Sequence, residues 1–392
     1  MEHLYLKNFG PIKEMDVDLK PLMVFIGESG SGKSAVLKSL SLLRWVHKRN
    51  NLRSYFIKNH LANEIDFSSI NFTKLLAISG LEEFIKDTTE IVFTTEQVTY
   101  KSNGKVLEMP LIEKSFSLDK VLFLSDNRII LPDILGQYFN LNAKFPYHLE
   151  DTFLNFNHAM KSFPKGFTIE STDVVLTQEN TIFGVMSYYI SNKKEGDSPF
   201  HIEFQNASSG TKTVSFVELI THFYTHSHLF DFNEVLENQY KRLGIGGDGI
   251  KQWQDKKTLS IFIEEPELSL FPSAQRRLLN RLVRDCFAEN KQENCVTNLA
   301  FATHSPYILT SLNNLLLAGE TAKTVEKKNR VSQVVSEEYW LTAEQVGAYA
   351  IENGKVKNII EEDNLIDGAY LDSISDEVSS EFSNILDIEY GN

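Results

Sequence analysis

Four short stretches of this chain place phosphate-handling or proton-handling side chains beside apolar runs or helix starts. The first, Gly27-Glu28-Ser29-Gly30-Ser31-Gly32-Lys33-Ser34, fits the pattern G-x-x-x-x-G-K-[ST]. Its glycines let the backbone wrap so that successive N–H groups converge on phosphate oxygens at the positive end of a following helix. Lys33 then reaches the β- and γ-phosphates of ATP, and the Ser34 hydroxyl takes Mg²⁺. The binding segment runs through Gly27, Glu28, Ser29, Gly30, Ser31, Gly32, Lys33, Ser34 and Ala35. The second stretch, Ile261-Phe262-Ile263-Glu264-Glu265-Pro266-Glu267, is an apolar strand ending in paired carboxylates. Such a strand delivers its acids to the sheet edge where the phosphate loop also sits. By spacing, Glu264 takes the metal and Glu265 acts as general base on the attacking water. In the third, His304 follows the apolar run at 298–302 in Thr303-His304-Ser305, and by itself reads equally as a surface histidine. The fourth, Ala207-Ser208-Ser209-Gly210-Thr211-Lys212, is in isolation a Ser/Gly turn capping a helix.

The elements that must carry these residues are legible from pattern. HLYLKNF, MDVDL and LMVFI read as strands, with Gly10-Pro11 as the turn between the first two, and a helix follows from Lys33. LSIFI and NLAFA are short continuous apolar runs, as expected of strands buried on both sides. Phe216, Leu219, Ile220 and Phe223 fall on one face of a helix opened by the Ser/Gly turn. A second helix starts at Pro272-Ser273, with Leu278, Leu279, Leu282, Val283 and Phe287 as its stripe. Asn353-Gly354 between VGAYAIEN and KVKNIIEE signals a hairpin. In the middle, EIVFTT and QVTYKS form another hairpin, GLEEFIKD reads as helix, and VLFLS reads as a buried strand. Leu371, Ile374, Val378, Phe382 and Ile385 recur at helical spacing in an acidic tail. That tail either packs on its own domain or docks on another chain.

The chain has 392 residues, 42% of them hydrophobic and 23% charged, enough for one large domain with insertions or two smaller ones. Two cysteines, Cys286 and Cys295, without a CxxC pair argue against a structural zinc knot or a disulfide framework. No run of apolar residues is long enough to span a bilayer, and the expectation is a cytoplasmic protein without membrane partners. The net charge of −14 argues against a surface that coats nucleic acid broadly. Two basic segments, 44–60 and 323–330, read either as local nucleic-acid faces or as a solvated helix end and an exposed loop.

The order of phosphate loop, Ser-Ser-Gly turn, acidic strand and strand-borne histidine resembles the ABC-type ATPase heads, in the branch of RecF, the SMC proteins and the OLD-like ATPases. The phrases LYLKNFGPIKEMDVDLKPLMVFIGESGSGKS, FIEEPELSLFP and ATHSPYIL carry the likeness. The resemblance implies an α/β head with a mixed sheet around the phosphate loop, an inserted α+β arm, and a C-terminal hairpin plus helix. The corresponding segments are 1–45 for the first lobe, 46–200 for the arm, 201–335 for the second lobe and 336–392 for the hairpin and acidic helix. It also implies a homodimer, or a higher homo-oligomer, that sandwiches ATP and Mg²⁺. Each site then joins Lys33, Ser34, Glu264, Glu265 and His304 of one chain to Ser208, Ser209 and Gly210 of the other, with the His304 imidazole on the γ-phosphate. Three residues depart from the usual pattern: Glu264 stands where ABC transporters carry Asp, Ala207 stands for Leu, and Ser209 stands for a glycine. Gln97 and Gln137 are both open as the glutamine that links Mg²⁺ to the arm. Arg128, in LSDNR, reads either as part of a phrase found in OLD-like heads or as an ordinary salt bridge.

The interval between loop and turn lacks heptads, so no SMC-type coiled-coil arm is expected. The 88 residues after His304 carry no Asp-x-Asp, so a complete Toprim nuclease domain does not fit. What remains is similar to the stand-alone OLD-like ATPases of Septu, PARIS and retron-linked antiphage modules. That likeness implies an ATPase sensor and scaffold holding a separate effector, a nuclease. The alternative is a RecF-like ATPase that binds DNA through the two basic segments.

Overall fold

The computed structural model describes residues 2–58, 71–113, 117–135, 146–180, 186–192, 200–226, 257–288, 295–367 and 379–388. The chain opens with β1 (Glu2–Phe9), β2 (Ile12–Leu19) and β3 (Leu22–Ile26), then α1 (Lys33–Lys58). Next come α2 (Phe72–Ile78), β4 (Glu90–Thr94), β5 (Thr99–Asn103), β6 (Val106–Glu108), β7 (Leu118–Leu124) and α3 (Leu131–Leu135). α4 (Tyr147–Lys161) leads into β8 (Phe167–Ile169), β9 (Val174–Asn180), β10 (Met186–Asn192) and β11 (His201–Glu203). After these follow α5 (Ser209–His226), β12 (Lys257–Glu264), α6 (Pro272–Phe287), β13 (Cys295–Thr303), α7 (Pro306–Thr321) and α8 (Val325–Ser332). β14 (Val346–Glu352) and β15 (Lys355–Asn358) follow, and residues 379–388 are helical.

Eleven strands form one mixed sheet in the order β6-β5-β4-β1-β2-β15-β14-β3-β13-β12-β7. The stretch β14-β3-β13-β12-β7 is parallel, and the stretch from β6 to β2 is antiparallel. Parallel strands are covered on both faces, which is why β3 and the second half of β12 read as unbroken apolar runs. Alternation still decides which face each side chain enters. Leu22, Val24 and Ile26 join a core with α4, α5, α6 and α7, while Met23 and Phe25 join the core under α1. Phe301 and Phe216 are fully buried in the first core, each worth about 1.5–3 kcal/mol of apolar burial. Because β3, β7, β12 and β13 run parallel, their C-terminal ends share one edge, and the chemistry-bearing loops leave from it.

The segment 46–200 is more closely joined to the sheet than an inserted arm would be. β4, β5 and β6 extend the antiparallel edge from β1, and β7 lies beside β12. A separate four-stranded sheet, β11-β10-β9-β8, stands apart from the large one. The hairpin at Asn353-Gly354 forms as its sequence predicts, with positive φ at both residues. It is built into the large sheet, β14 beside β3 and β15 beside β2. Residues 82–84 form only a short 3₁₀ turn, where GLEEFIKD reads as helix. Phe382 and Ile385 are 62% exposed, so this part of the acidic tail does not pack on its own domain. Leu371, Ile374 and Val378 lie outside the described residues.

Candidate functional site

The phosphate loop connects β3 to α1, and its three glycines all have positive φ: Gly27 at 147°, Gly30 at 80° and Gly32 at 112°. Two of them are also spatial necessities. A Cβ on Gly27 would come within 2.6 Å of the Ile351 carbonyl oxygen, and one on Gly32 within 2.7 Å of Ile12. Lys33 is buried, and its ammonium donates to the Gly27 and Glu28 carbonyls at 2.8 Å each. Burial lowers its pKa, opposed by the negative charges of Glu265 and Glu267. The Ser31 hydroxyl is buried with no hydrogen-bond partner among the described residues, as a group awaiting a phosphate oxygen would be.

Glu264, the last residue of β12, is buried. Its Oε2 accepts from the Ser125 hydroxyl at 3.0 Å and from the Asp126 N–H at 3.4 Å. Its Oε1 has no hydrogen-bond partner among the described residues, and Lys38 Nζ stands 3.9 Å away. Burial raises the Glu264 pKa, Asp126 adds to the rise, and Lys38, Ser34 and Ser125 oppose it. An orphaned, desolvated carboxylate oxygen next to the Ser34 hydroxyl is the hard donor set that suits Mg²⁺. Lys38 and Ser125 complete this pocket; Lys38 belongs to no motif, and Ser125 lies in the LSDNR phrase, where only Arg128 drew attention.

Glu265 turns away from the strand with φ of 44°, rare for a side-chain-bearing residue. Its N–H donates to the Ala302 carbonyl at 2.9 Å, which anchors the turn to β13. Its carboxylate is half-exposed, and Oε1 lies 3.5 Å from His304 Nε2. The fold thus brings together the two residues expected to serve as base and phosphate sensor. The His304 pKa is lowered, first by burial and then by the Lys33 charge, with Glu265 opposing. Glu267 ties the histidine loop down: its Oε1 accepts from the Thr303 hydroxyl at 2.7 Å and the His304 N–H at 2.8 Å. Burial raises the Glu267 pKa, and these two donors oppose it.

Arg128 is fully buried and makes no salt bridge in this site; it donates to four backbone carbonyls. Nη1 reaches Ser125 at 2.9 Å and Glu264 at 2.7 Å, Nη2 reaches Glu265 at 2.6 Å, and Nε reaches Thr213 at 3.3 Å. Burial pushes its pKa down to about 10, while Glu267, Asp126, Glu264 and Glu265 hold it up by charge. One guanidinium therefore fastens the loop after β7, the acidic turn and the first turns of α5.

The Ser/Gly turn caps α5 as its sequence predicts: Ser208 Oγ accepts from the Thr211 N–H at 3.3 Å. Ser208 and Ser209 are exposed. Gly210 is buried, and a Cβ there would stand 2.5 Å from the Ser269 carbonyl oxygen, so its smallness serves contact with this chain's own acidic turn. Gln97 adjoins His47, in a space lined by Glu2, Arg44 and Asp119, and Gln137 lies outside the described residues. The basic run at 44–60 is largely turned inward. Arg44 pairs with Glu2, His47 meets the Tyr100 hydroxyl at 2.9 Å, and Lys48 is desolvated beside Asp119 and Asp151. His60 lies outside the described residues. On α8, by contrast, Lys327 and Arg330 are exposed.

The model of the AAA ATPase domain family matches residues 1–245, a span that holds the phosphate loop, Arg128 and the Ser/Gly turn. No curated protein matches the chain. Among solved structures, the SMC head domain from Thermotoga maritima is similar at 10% identity with a TM-score of 0.38, covering 91% of this chain and 97% of that one. The Smc head domain from Pyrococcus furiosus, bound to the C-terminal domain of ScpA, is similar at 9% identity and 0.38, covering 92% and 96%. The recombination mediator RecF is similar at 12% identity and 0.35, covering 91% and 97%. Among the described residues no helix is long and apolar enough to cross a membrane.

Two outcomes are expected of the site itself. Arg128→Met removes four buried hydrogen bonds and the cation facing four carboxylates, and lowers stability by about 3–5 kcal/mol in urea unfolding. Arg128→Lys does not restore it, because a single ammonium cannot span the fork; a loss under about 1 kcal/mol in both variants would remove the anchoring role. In an NMR titration without nucleotide, His304 titrates below its ordinary 6.5. Removing the repelling charge in Lys33→Met raises that value, and Glu265→Gln lowers it; a His304 unmoved by Lys33→Met contradicts the electrostatic assignment.

Proposed function

The chain belongs to the AAA ATPase domain family, and from that premise we propose that it hydrolyses ATP within a homodimer whose closure controls a separate effector. The observation that carries the catalytic part is the meeting of Glu265 and His304, 3.5 Å apart, at the sheet edge that holds Lys33. Lys33 exchanges its two loop carbonyls for β- and γ-phosphate oxygens, and the Ser31 hydroxyl gains the partner it lacks. Ser34 and Glu264 hold Mg²⁺, which neutralises phosphate charge when bound. Glu265 polarises the attacking water as general base, and neutral His304 donates toward the γ-phosphate.

The trans part of the reading rests on Ser208 and Ser209, exposed at the N-terminus of a long helix whose dipole favours an anion. A second chain's γ-phosphate is the anion in this reading. Through Arg128, a contact at α5 is mechanically joined to the carbonyls of Glu264 and Glu265 in the same chain. Closure would then report on nucleotide state, the behaviour required of a sensor and scaffold in antiphage defence. The exposed Phe382 and Ile385 on an acidic helix offer a surface for the effector, a nuclease supplied by another chain. The second reading, a RecF-like DNA-binding ATPase, is favoured only by exposed Lys327 and Arg330, since Arg44, His47 and Lys48 face inward.

Glu265→Gln is expected to cut turnover by about 10²-fold or more while keeping ATP affinity, and to accumulate an ATP-bound dimer in light scattering. Lys33→Ala loses ATP binding in calorimetry. Normal hydrolysis by Glu265→Gln, or a strictly monomeric ATP complex, refutes the base assignment or the dimer respectively. Salt-dependent duplex binding that Lys327→Ala plus Arg330→Ala abolishes would favour the DNA reading instead.

A further inference from the structure

A second cluster of ligating side chains lies at the other end of the helix that begins at Ser209. His222 and His226 sit one turn apart on α5, and Asp285 faces them from α6. The eighteen-residue helix puts this cluster roughly 25 Å along its axis from the Ser/Gly turn. One donor atom from each of the three residues lies within 4.8 Å of the other two. We propose that His222, His226 and Asp285 bind a divalent transition-metal ion of the Zn²⁺ type.

Four observations carry this. Histidines at i and i+4 present two imidazoles to one side of the helix, and here the ring centroids are 4.0 Å apart, near enough to share one ion once the rings turn their in-plane lone pairs toward it. The His226 Nδ1 lies 3.1 Å from the His222 carbonyl, which can only accept, and 2.9 Å from the Thr225 hydroxyl; with the proton on Nδ1, Nε2 keeps its lone pair for a metal. His222 Nδ1 stands 3.0 Å from Asp285 Oδ2, close to the separation of two ligand atoms on one tetrahedral ion, so this nitrogen and this oxygen can share it. Two nitrogens and one carboxylate oxygen select Zn²⁺ and its neighbours over Mg²⁺ or Ca²⁺.

Two guanidiniums are close by, and they do not cancel the site. Arg281 donates to Glu218 at 2.7 Å and Arg284 to Glu170 at 2.9 Å, both nearer than their contacts with Asp285 at 3.5 and 3.4 Å. Three carboxylates thus face two cations, and the Asp285 charge is the surplus. The C-terminal end of α5 adds partial negative charge. Asp285 is buried while His226 is exposed, so a fourth coordination position faces water. The ion pins the end of α5 to α6, the helix that follows the acidic turn, and so braces the two elements that flank Arg128.

The test uses the full chain after chelation, titrated with Co²⁺ and then Zn²⁺. The expected result is one Co²⁺ per chain with visible ligand-field absorption, displaced by Zn²⁺, and a Zn²⁺-dependent rise in melting temperature. His226→Ala, at an exposed position, keeps the far-UV circular dichroism and weakens binding by at least about tenfold. Glu264→Gln, which disables the nucleotide-site metal position, keeps this ion. Absence of stoichiometric Co²⁺ binding, or binding untouched by His226→Ala, overturns the proposal. Binding lost in Glu264→Gln instead assigns the ion to the nucleotide site and overturns it equally.

Discussion

A single buried guanidinium holds the catalytic edge together. The carbonyls of Ser125, Thr213, Glu264 and Glu265 come from three segments far apart in sequence, and Arg128 is their common donor. Ser125 and Glu265 also accept backbone N–H groups and Thr213 lies inside α5, so the guanidinium acts as an added donor that ties these separate segments together. Arginine suits the position because its donors are rigid and its charge survives burial. That charge is also the counterweight to Asp126, Glu264, Glu265 and Glu267, which would otherwise repel one another. Geometry and charge balance therefore depend on the same side chain.

The acids of this edge are differentiated by what surrounds them. Glu264 is buried with one oxygen bonded and one orphaned, and Glu267 is spent on the histidine loop. Glu265 alone stays half-exposed, on a backbone turned out by its positive φ. Three carboxylates within four residues thus acquire three different surroundings, the division that the proposed roles of metal ligand, base and structural acceptor require, without any difference in side-chain chemistry. Lowered pKa values at Lys33 and His304 have a common origin, desolvation, and the Lys33 charge adds to the lowering at His304.

Much of this could be read from the residues. The loop Gly27–Ser34, the acids ending β12 and the histidine after β13 announce themselves because each is a polar group at the end of an apolar run. The same logic identifies β7, whose LSDNR phrase leaves the same edge. The role of Arg128 was not legible, because backbone carbonyls have no letter in a sequence. Gly210 has a second reason to be glycine that its motif position does not announce: its missing Cβ makes room for the Ser269 carbonyl. The basic run at 44–60 looked like a surface, yet its cations meet acids and hydroxyls from β1, β5 and β7 that only the sheet brings close. The insertion 46–200 could not be apportioned between arm and sheet, since strand pairing across long separations leaves no local signature.

The placement of β14 between β3 and β15 bears on how the molecule is made. Gly27 lies against the Ile351 carbonyl, and β3 pairs with β14 along its whole length. The strand that launches the phosphate loop is thus synthesised long before one of its two flanking strands, Val24 pairing with Ala348. Until residues near 358 emerge from the ribosome, β3 has an open edge and the loop lacks part of its floor. Closing contacts of such sequence separation is slow, and the nascent chain spends that interval with an apolar strand edge unprotected. Nucleotide binding competence in this sense depends on a floor supplied from far along the chain.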